Sequence, residues 1–156
     1  MPANSAGLLL YRRREGTLEL LIAHMGGPFW ARREEGAWTI VKGEHDAAEE
    51  PIAAARREFA EETGAEAPAG PAIDLGEVRQ SGGKRVHAWA LEGDFDPAAL
   101  SSNTFETEWP PRSGRKAEFP EIDRVAWCDP ATARRLLIKA QAAFVDELEA
   151  RLAGAH

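Results

Sequence analysis

The stretch GEHDAAEEPIAAARREFAEETGA, residues 43–65, decides the fold more than any other part of the chain. Pro51 suits the first turn of a helix, because its missing N–H group would have no partner there. The residues that follow are mostly Ala, Arg and Glu, which favour helices. Gly64 stands where a left-handed C-terminal cap is expected. The stretch therefore predicts a helix over residues 51–63.

Short apolar runs on both sides of this helix predict strands. These runs are residues 7–11, 18–24, 38–41, 73–78, 85–91 and 124–128. Residues 94–117 contain three prolines and a glycine and are expected to form a long irregular loop. Helical sequence then continues from Pro130 to about Leu152, with a break near Lys139. This mixture predicts an α/β fold in which a mixed β-sheet has helices on both faces, an α/β/α sandwich.

Length and composition limit the classes of protein that need to be considered. The chain has 156 residues, of which 44% are hydrophobic and 29% charged, so we expect a single globular domain over residues 1–156. Acidic residues outnumber basic ones by 26 to 19, and this net charge of −7 argues against binding a nucleic-acid polymer. No long apolar run or signal peptide is evident, which predicts a cytoplasmic protein without a membrane partner. The lone Cys128 excludes an internal disulfide and a cysteine-based zinc site.

Three glutamates of the predicted helix form an acidic cluster. Glu58, Glu61 and Glu62 stand at positions i, i+3 and i+4, which places their carboxylates on one helix face. Like charges so close repel one another, and a hard divalent cation such as Mg²⁺ or Mn²⁺ would relieve the repulsion. Arg57 is one residue out of phase with Glu58, so we expect that it cannot serve the whole cluster. The alternative interpretation is a solvated acidic face paired with arginines.

The residues around the cluster favour the metal site. Gly43 is followed after five residues by Glu49, and after seven more by REFAEETGA, residues 57–65. This spacing resembles the Nudix box, G-x5-E-x7-R-E-U-x-E-E-x-G-U, in which U is a bulky apolar residue. Ala65 is the one soft departure, since it is smaller than the usual Ile, Leu or Val. The resemblance implies the Nudix fold and hydrolysis of a diphosphate linkage in a nucleoside diphosphate joined to another group.

The resemblance also implies structural roles for four residues of the box. Gly43 would permit the tight loop that enters the helix, and Gly64 would permit the exit from it. Glu49 would reach Arg57 and hold the loop against the helix through a charge-assisted hydrogen bond.

The remaining box residues are implied to carry the metal and the chemistry. Glu58 and Glu62 would bind Mg²⁺ or Mn²⁺, and Glu62 is the first choice of ligand. Glu61 would bind a second ion or act as the general base. The alternative for Glu58 or Glu61 is a supporting position behind the ligands.

Many members of the family complete the site with a further carboxylate that lies ahead of a tryptophan near the last core strand. Glu121 stands six residues before Trp127 and is the first candidate for this metal ligand or catalytic base. The alternative is a plain surface acid at the start of a strand. The next candidates are Glu118 and then Glu106 or Glu108. The candidate catalytic residues are therefore Glu58, Glu61 and Glu121.

Three basic residues are candidates for binding substrate. Lys42 directly precedes Gly43, where several branches of the family place a lysine on a substrate phosphate; the alternative is a solvated loop lysine. The run WTIVKG is similar to the W-x-x-P-K-G run of diadenosine polyphosphate and diphosphoinositol hydrolases, with valine in place of proline. Arg112 and Arg115 follow Trp109, so this segment would stack a base and grip phosphates. Equally, it would be a solvent-facing loop with Trp109 against the core edge.

The sequence thus predicts a Mg²⁺-dependent pyrophosphohydrolase of a nucleoside polyphosphate, either a mononucleotide or a dinucleotide such as diadenosine tetraphosphate. The alternative enzyme substrates are a nucleotide sugar or a diphosphoinositol phosphate. A catalytically silent nucleotide-sensing domain and a plain interaction domain are the other candidates, and the intact acidic cluster favours the enzyme. Residues 79–83, RQSGG, lack the tyrosine or proline that marks the ADP-ribose branch and one class of dinucleoside polyphosphate hydrolases. A homodimer is left open.

Overall fold

The computed structural model describes residues 4–154 as a mixture of nine strands and three α-helices. The strands are β1 (Asn4–Arg14), β2 (Thr17–Met25), β3 (Trp38–Thr39), β4 (Val41–Glu44), β5 (Ile73–Arg79), β6 (Arg85–Glu92), β7 (Thr104–Glu108), β8 (Lys116–Pro120) and β9 (Ile122–Cys128). The helices are α1 (Pro51–Thr63), α2 (Pro130–Leu136) and α3 (Ala142–Gly154).

Strand β1 is the centre of a mixed seven-stranded sheet. It pairs in parallel with β6, and β5 extends the sheet beyond β6 in antiparallel pairing. On its other side β1 pairs with β4 along residues 5–8 and with β2 along residues 11–14. Strand β2 also pairs with β3 and β9. The start of β1 therefore lies beside β4 and the start of β6.

The two faces of the sheet are covered by different helices. Alternate residues of β1 point to opposite faces, so Leu8 packs in one apolar cluster with Phe59 of α1, and Leu9 packs in another with Phe144 of α3. All four of these side chains are buried. This arrangement confirms the predicted α/β/α sandwich with a mixed sheet.

The helix predicted from the opening stretch is confirmed with its bounds. Helix α1 has Pro51 in its first turn and ends at Thr63, and Gly64 has the left-handed φ of 82°. The predicted break near Lys139 is also present, as a short 3₁₀ turn at Lys139–Gln141.

The prediction of an irregular loop over residues 94–117 is wrong in its second half. Strands β7 and β8 form an antiparallel hairpin separate from the main sheet. The rings of Phe105 and Phe119 face each other across the hairpin with centroids 6.2 Å apart. Cross-strand pairs of this kind stabilise short strands that carry little signal individually. The predicted strand at residues 38–41 is divided into β3 and the start of β4.

Within residues 4–154, none of the helices has both the length and the apolar character needed to cross a bilayer.

Candidate active site

Helix α1 turns two of its glutamates inward and one outward. Glu58 and Glu62 are buried beside strand β4, whereas Glu61 is exposed. A Cβ atom added to Gly43 of β4 would lie 1.9 Å from Oε2 of Glu58. The structure thus gives a different reason for Gly43 than the expected tight loop: the Glu58 carboxylate occupies the space that a side chain would need.

A polar pocket of about 360 Å³ joins this helix face to the neighbouring strands. Its acidic side contains all four carboxylates predicted from the sequence, namely Glu58, Glu61, Glu62 and Glu121. Its basic side contains Lys42, which was predicted, and Lys84, which was not. The fold therefore brings together Lys42 and Glu121, which lie 79 positions apart in the sequence.

The other predicted candidates lie outside this pocket. Arg112 and Arg115 are exposed on the turn between β7 and β8, and Trp109 is 37% exposed instead of packed against the core. The three lower-ranked acids, Glu106, Glu108 and Glu118, lie on the same hairpin and have local partners. The hairpin nevertheless begins beside the pocket, because the N–H group of Glu121 donates to the carbonyl of Asn103 at 2.9 Å.

Charge and burial disturb the ionisation of the pocket. Burial, followed by the nearby charges of Glu121 and Glu58, raises the pKa of Glu62 to about 8. Burial also raises the pKa values of Glu58 and Glu121 above their usual range. On the basic side, burial and then the charge of Lys84 lower the pKa of Lys42 to about 8. The pocket therefore holds groups of each sign in an environment that does not favour their charged forms.

Arg57 binds the segment before α1 to the helix. Its Nε and Nη2 atoms donate to the two carboxylate oxygens of Glu49, both at 2.8 Å. Its Nη1 atom also donates to Glu58 at 2.9 Å and to Glu61 at 3.1 Å. Although Arg57 is one residue out of phase with Glu58, it thus reaches two glutamates of the cluster. It makes no hydrogen bond to the third, Glu62.

The residues fit a hard divalent cation in their chemistry and location. The pocket offers carboxylate oxygens, which Mg²⁺ and Mn²⁺ prefer. In residues 4–154, however, no three His, Cys, Asp or Glu side chains already converge as a metal site. Arg57 donates a hydrogen bond to Glu58 instead. A bound cation would therefore compete with Arg57 for this carboxylate.

Sequence reasoning missed four residues that line the pocket: Ser5, Glu44, Lys84 and Asn103. Ser5 and Lys84 lie outside the box, and the parallel pairing of β1 with β6 brings them to the same end of the sheet. The turn SGGK before β6 marks a strand start but indicates nothing about which strand lies alongside.

A family model for the NUDIX domain matches residues 1–148, so the chain belongs to the Nudix family. This membership makes the chain a hydrolase that acts on phosphoric anhydrides. A comparison with curated proteins finds no match.

Solved structures share the fold over nearly the whole chain. The binary complex of C. elegans Ap4A hydrolase has a TM-score of 0.69 at 22% identity, covering 96% of this chain and 98% of that chain. The NUDIX domain of Shewanella oneidensis NrtR, complexed with ADP ribose, has a TM-score of 0.65 at 14% identity, with coverages of 97% and 89%. A mutT/nudix family protein from Listeria innocua has a TM-score of 0.62 at 18% identity, with coverages of 98% and 96%.

Proposed function

We propose that this chain is a Mg²⁺- or Mn²⁺-dependent pyrophosphohydrolase that cleaves a diphosphate linkage in a nucleoside polyphosphate. The observation that carries the proposal is the pocket itself, which is lined both by the four predicted carboxylates and by Lys42 and Lys84. A pocket with both an acidic and a basic side suits a polyanion that arrives with a divalent cation. The cation would occupy the acidic side and the phosphates would reach the basic side.

In this proposal Glu58, Glu62 and Glu121 hold the ion. When bound, a divalent ion neutralises phosphate oxygens and stabilises charge on the attacking and departing oxygens. Glu61 is exposed at the edge of the pocket and is the proposed general base, which takes the proton of the attacking water. Water attacks one phosphorus, and the bond from that phosphorus to the bridging oxygen breaks.

The rest of the chain supports this site. Lys42 and Lys84 hold the phosphates, and the Glu49–Arg57 pair fixes the segment between β4 and α1. Trp109, Arg112 and Arg115 are proposed to contact the outer part of the substrate from the β7–β8 hairpin.

The proposed substrate class is a nucleoside polyphosphate. The similar structures named above include an Ap4A hydrolase and a domain complexed with ADP ribose. Both of these ligands contain adenine nucleotides. The run WTIVKG before α1 also resembles the W-x-x-P-K-G run of diadenosine polyphosphate and diphosphoinositol hydrolases, with valine in place of proline. We therefore propose to test diadenosine tetraphosphate and nucleoside triphosphates first, with a diphosphoinositol phosphate in the same panel.

A second candidate is a domain that binds a nucleotide without cleaving it. The observation that favours it is the engagement of Glu58 and Glu61 by Arg57, with no metal site already formed among residues 4–154. Such a protein would bind the same ligands without turnover.

The test is a turnover assay with Mg²⁺ or Mn²⁺ on a panel of nucleoside triphosphates, diadenosine tetraphosphate, a nucleotide sugar and a diphosphoinositol phosphate. Reaction in ¹⁸O-labelled water identifies the phosphorus that is attacked. Cleavage that EDTA abolishes is the expected result. Nucleotide binding without cleavage would favour the silent domain, and neither binding nor cleavage would contradict both candidates.

A further inference from the structure

Asn103 lies between two glutamates of the candidate site, and its backbone is hydrogen-bonded to the backbone of both. Its N–H group donates to the carbonyl of Glu61 at 3.2 Å, and its carbonyl accepts from the N–H group of Glu121 at 2.9 Å. The hydroxyl of Ser102 donates to the same carbonyl at 2.8 Å. These bonds hold Asn103 between the C-terminal part of α1 and the residue that precedes β9.

The side chain of Asn103 is the polar part of this residue that remains available to a ligand. Asn103 lines the carboxylate pocket and is exposed, so a molecule in the pocket can reach it. Its backbone N–H group is already used, and both lone pairs of its carbonyl oxygen accept hydrogen bonds. Among the side-chain hydrogen bonds of residues 4–154, none involves the amide of Asn103, and the carboxylate of Glu61 accepts from Arg57 instead.

An unpaired amide at this place offers a hydrogen-bond donor that carries no positive charge. The side chain of asparagine has two N–H donors and one carbonyl acceptor, and it stays neutral. A lysine or arginine here would compete with a divalent cation for the carboxylates, as Arg57 would at Glu58. A neutral donor avoids this competition, and it still forms a charge-assisted bond with an oxygen of a phosphate that accompanies the cation.

We propose that the side-chain amide of Asn103 donates a hydrogen bond to a phosphate oxygen of the substrate on the acidic side of the pocket. This inference rests on the proposed function, in which Lys42 and Lys84 hold the phosphates on the basic side. The bound phosphates then have donors on both sides of the pocket. Asn103 is a substrate-binding residue, and the reaction needs no proton from it.

The test compares the wild type with Asn103→Ala, using imidodiphosphate with Mg²⁺ as a non-hydrolysable phosphate probe in calorimetric titration. Loss of one hydrogen bond to a charged group predicts about tenfold weaker binding of the probe. Binding of Mn²⁺ alone should not change, because the carboxylates that hold the ion remain. The unfolding temperature should match that of the wild type, because the bonds that hold Asn103 come from its backbone. With an active substrate, KM should rise more than kcat falls.

A second variant, Asn103→Asp, distinguishes a contact with the anion from a contact with the cation. Aspartate has the shape of asparagine but replaces the N–H donors with a second carboxylate oxygen. Since the proposed contact is with phosphate, this variant should repel the probe and bind it at least as weakly as Asn103→Ala. Preserved or stronger binding of the probe would show that the side-chain oxygen contacts the cation, and it would contradict the proposal.

Thr104→Val is the matched control. Thr104 directly follows Asn103 and is also exposed, but its hydroxyl donates to Glu118 and it does not line the pocket. This control should leave the binding of the probe and the kinetic constants unchanged.

Wild-type affinity for the probe in Asn103→Ala would overturn the inference, and so would weaker binding of Mn²⁺ alone. A clear fall in the unfolding temperature of this variant would also overturn it, because the side chain would then serve the fold. If the wild type neither binds the probe nor cleaves any nucleotide, the proposed function and the inference fail together. If the inference fails alone, the wild type remains active.

Discussion

Two cavities of the molecule lie toward opposite ends of strand β1 and differ in how their charges are paired. The larger, of about 520 Å³, is lined by Arg12, Asp94 and Trp127 among others. Arg12 donates to Glu19 at 2.8 Å and to Asp94 at 2.5 Å, and its guanidinium lies 4.0 Å from the centroid of the Trp127 ring. Of the two arginines that line this cavity, Arg12 is therefore already paired by the protein.

The smaller carboxylate pocket is the opposite case. Its volume is about 360 Å³, yet it contains Glu62 with a raised pKa and Lys42 with a lowered pKa. The comparison teaches that unsatisfied polar groups identify the candidate site better than volume does. An unsatisfied group costs stability, and a ligand that pairs with it offsets that cost.

The largest expected effect is that of Glu62→Gln. This change keeps the size of the side chain and removes the charge that we propose to bind metal. Mutation of a residue that only supports a metal ligand costs up to about a hundredfold in activity. Because we propose that Glu62 is itself a ligand, kcat should fall at least about a hundredfold. The fold should persist, because the change also removes repulsion between buried acids. Steady-state kinetics and thermal unfolding measure the two effects. Full activity in the variant would contradict the metal assignment.

A smaller effect is expected for Lys84→Met, which keeps the length of the side chain and removes its charge. The loss of one charge-assisted contact to phosphate should raise KM about tenfold with little change in kcat. Kinetics at two salt concentrations check the charge, since the difference from wild type should shrink at high salt. An unchanged KM would remove Lys84 from the phosphate-binding side.

Arg57→Lys should weaken the site only indirectly. Lysine keeps the charge but cannot form the two parallel bonds to Glu49 while reaching Glu58 and Glu61. The side chain is 39% exposed, so the free energy of unfolding should fall by no more than about 1 kcal/mol. Activity should fall several-fold. Wild-type kinetics in Arg57→Lys would show that the position of the loop does not depend on this pair.

The smallest effect is expected in the larger cavity, for Asp94→Asn, which should leave catalysis unchanged. The hydrogen bond from Arg12 lowers the pKa of the Asp94 carboxyl in the folded protein. The pair therefore stabilises the fold above about pH 4, and this contribution is lost as the pH falls through the folded-state pKa of Asp94. The variant should therefore be slightly less stable at pH 7, and its difference from wild type should shrink toward about pH 3. Urea unfolding at both values measures this. A marked loss of activity would show that the paired cavity takes part in function.

The parts of the molecule that local sequence specifies were predictable. Helix α1 was found with its bounds because Pro51, Gly64 and the helix-forming residues between them act locally. The convergence of Glu58 and Glu62 follows from helical spacing, and the place of Glu121 follows from its resemblance to the family pattern. Their roles in binding and catalysis remain predictions.

The parts that depend on pairing between distant strands were not predictable. Ser5 and Lys84 are 79 positions apart, and only the parallel register of β1 and β6 brings them to one pocket. The β7–β8 hairpin was missed because its strands have five residues each and lie among prolines and glycines. Non-local pairing such as that of β1 with β6 leaves little trace in a single sequence.

The most direct test of the account is anomalous diffraction from crystals soaked in Mn²⁺ with imidodiphosphate. The account predicts an anomalous peak among the carboxylates of Glu58, Glu62 and Glu121, with the probe's phosphates directed toward Lys42 and Lys84. A molecule without a peak in this pocket, or with its peak at the larger cavity around Arg12, would contradict the claim that the glutamates hold a divalent ion against a diphosphate.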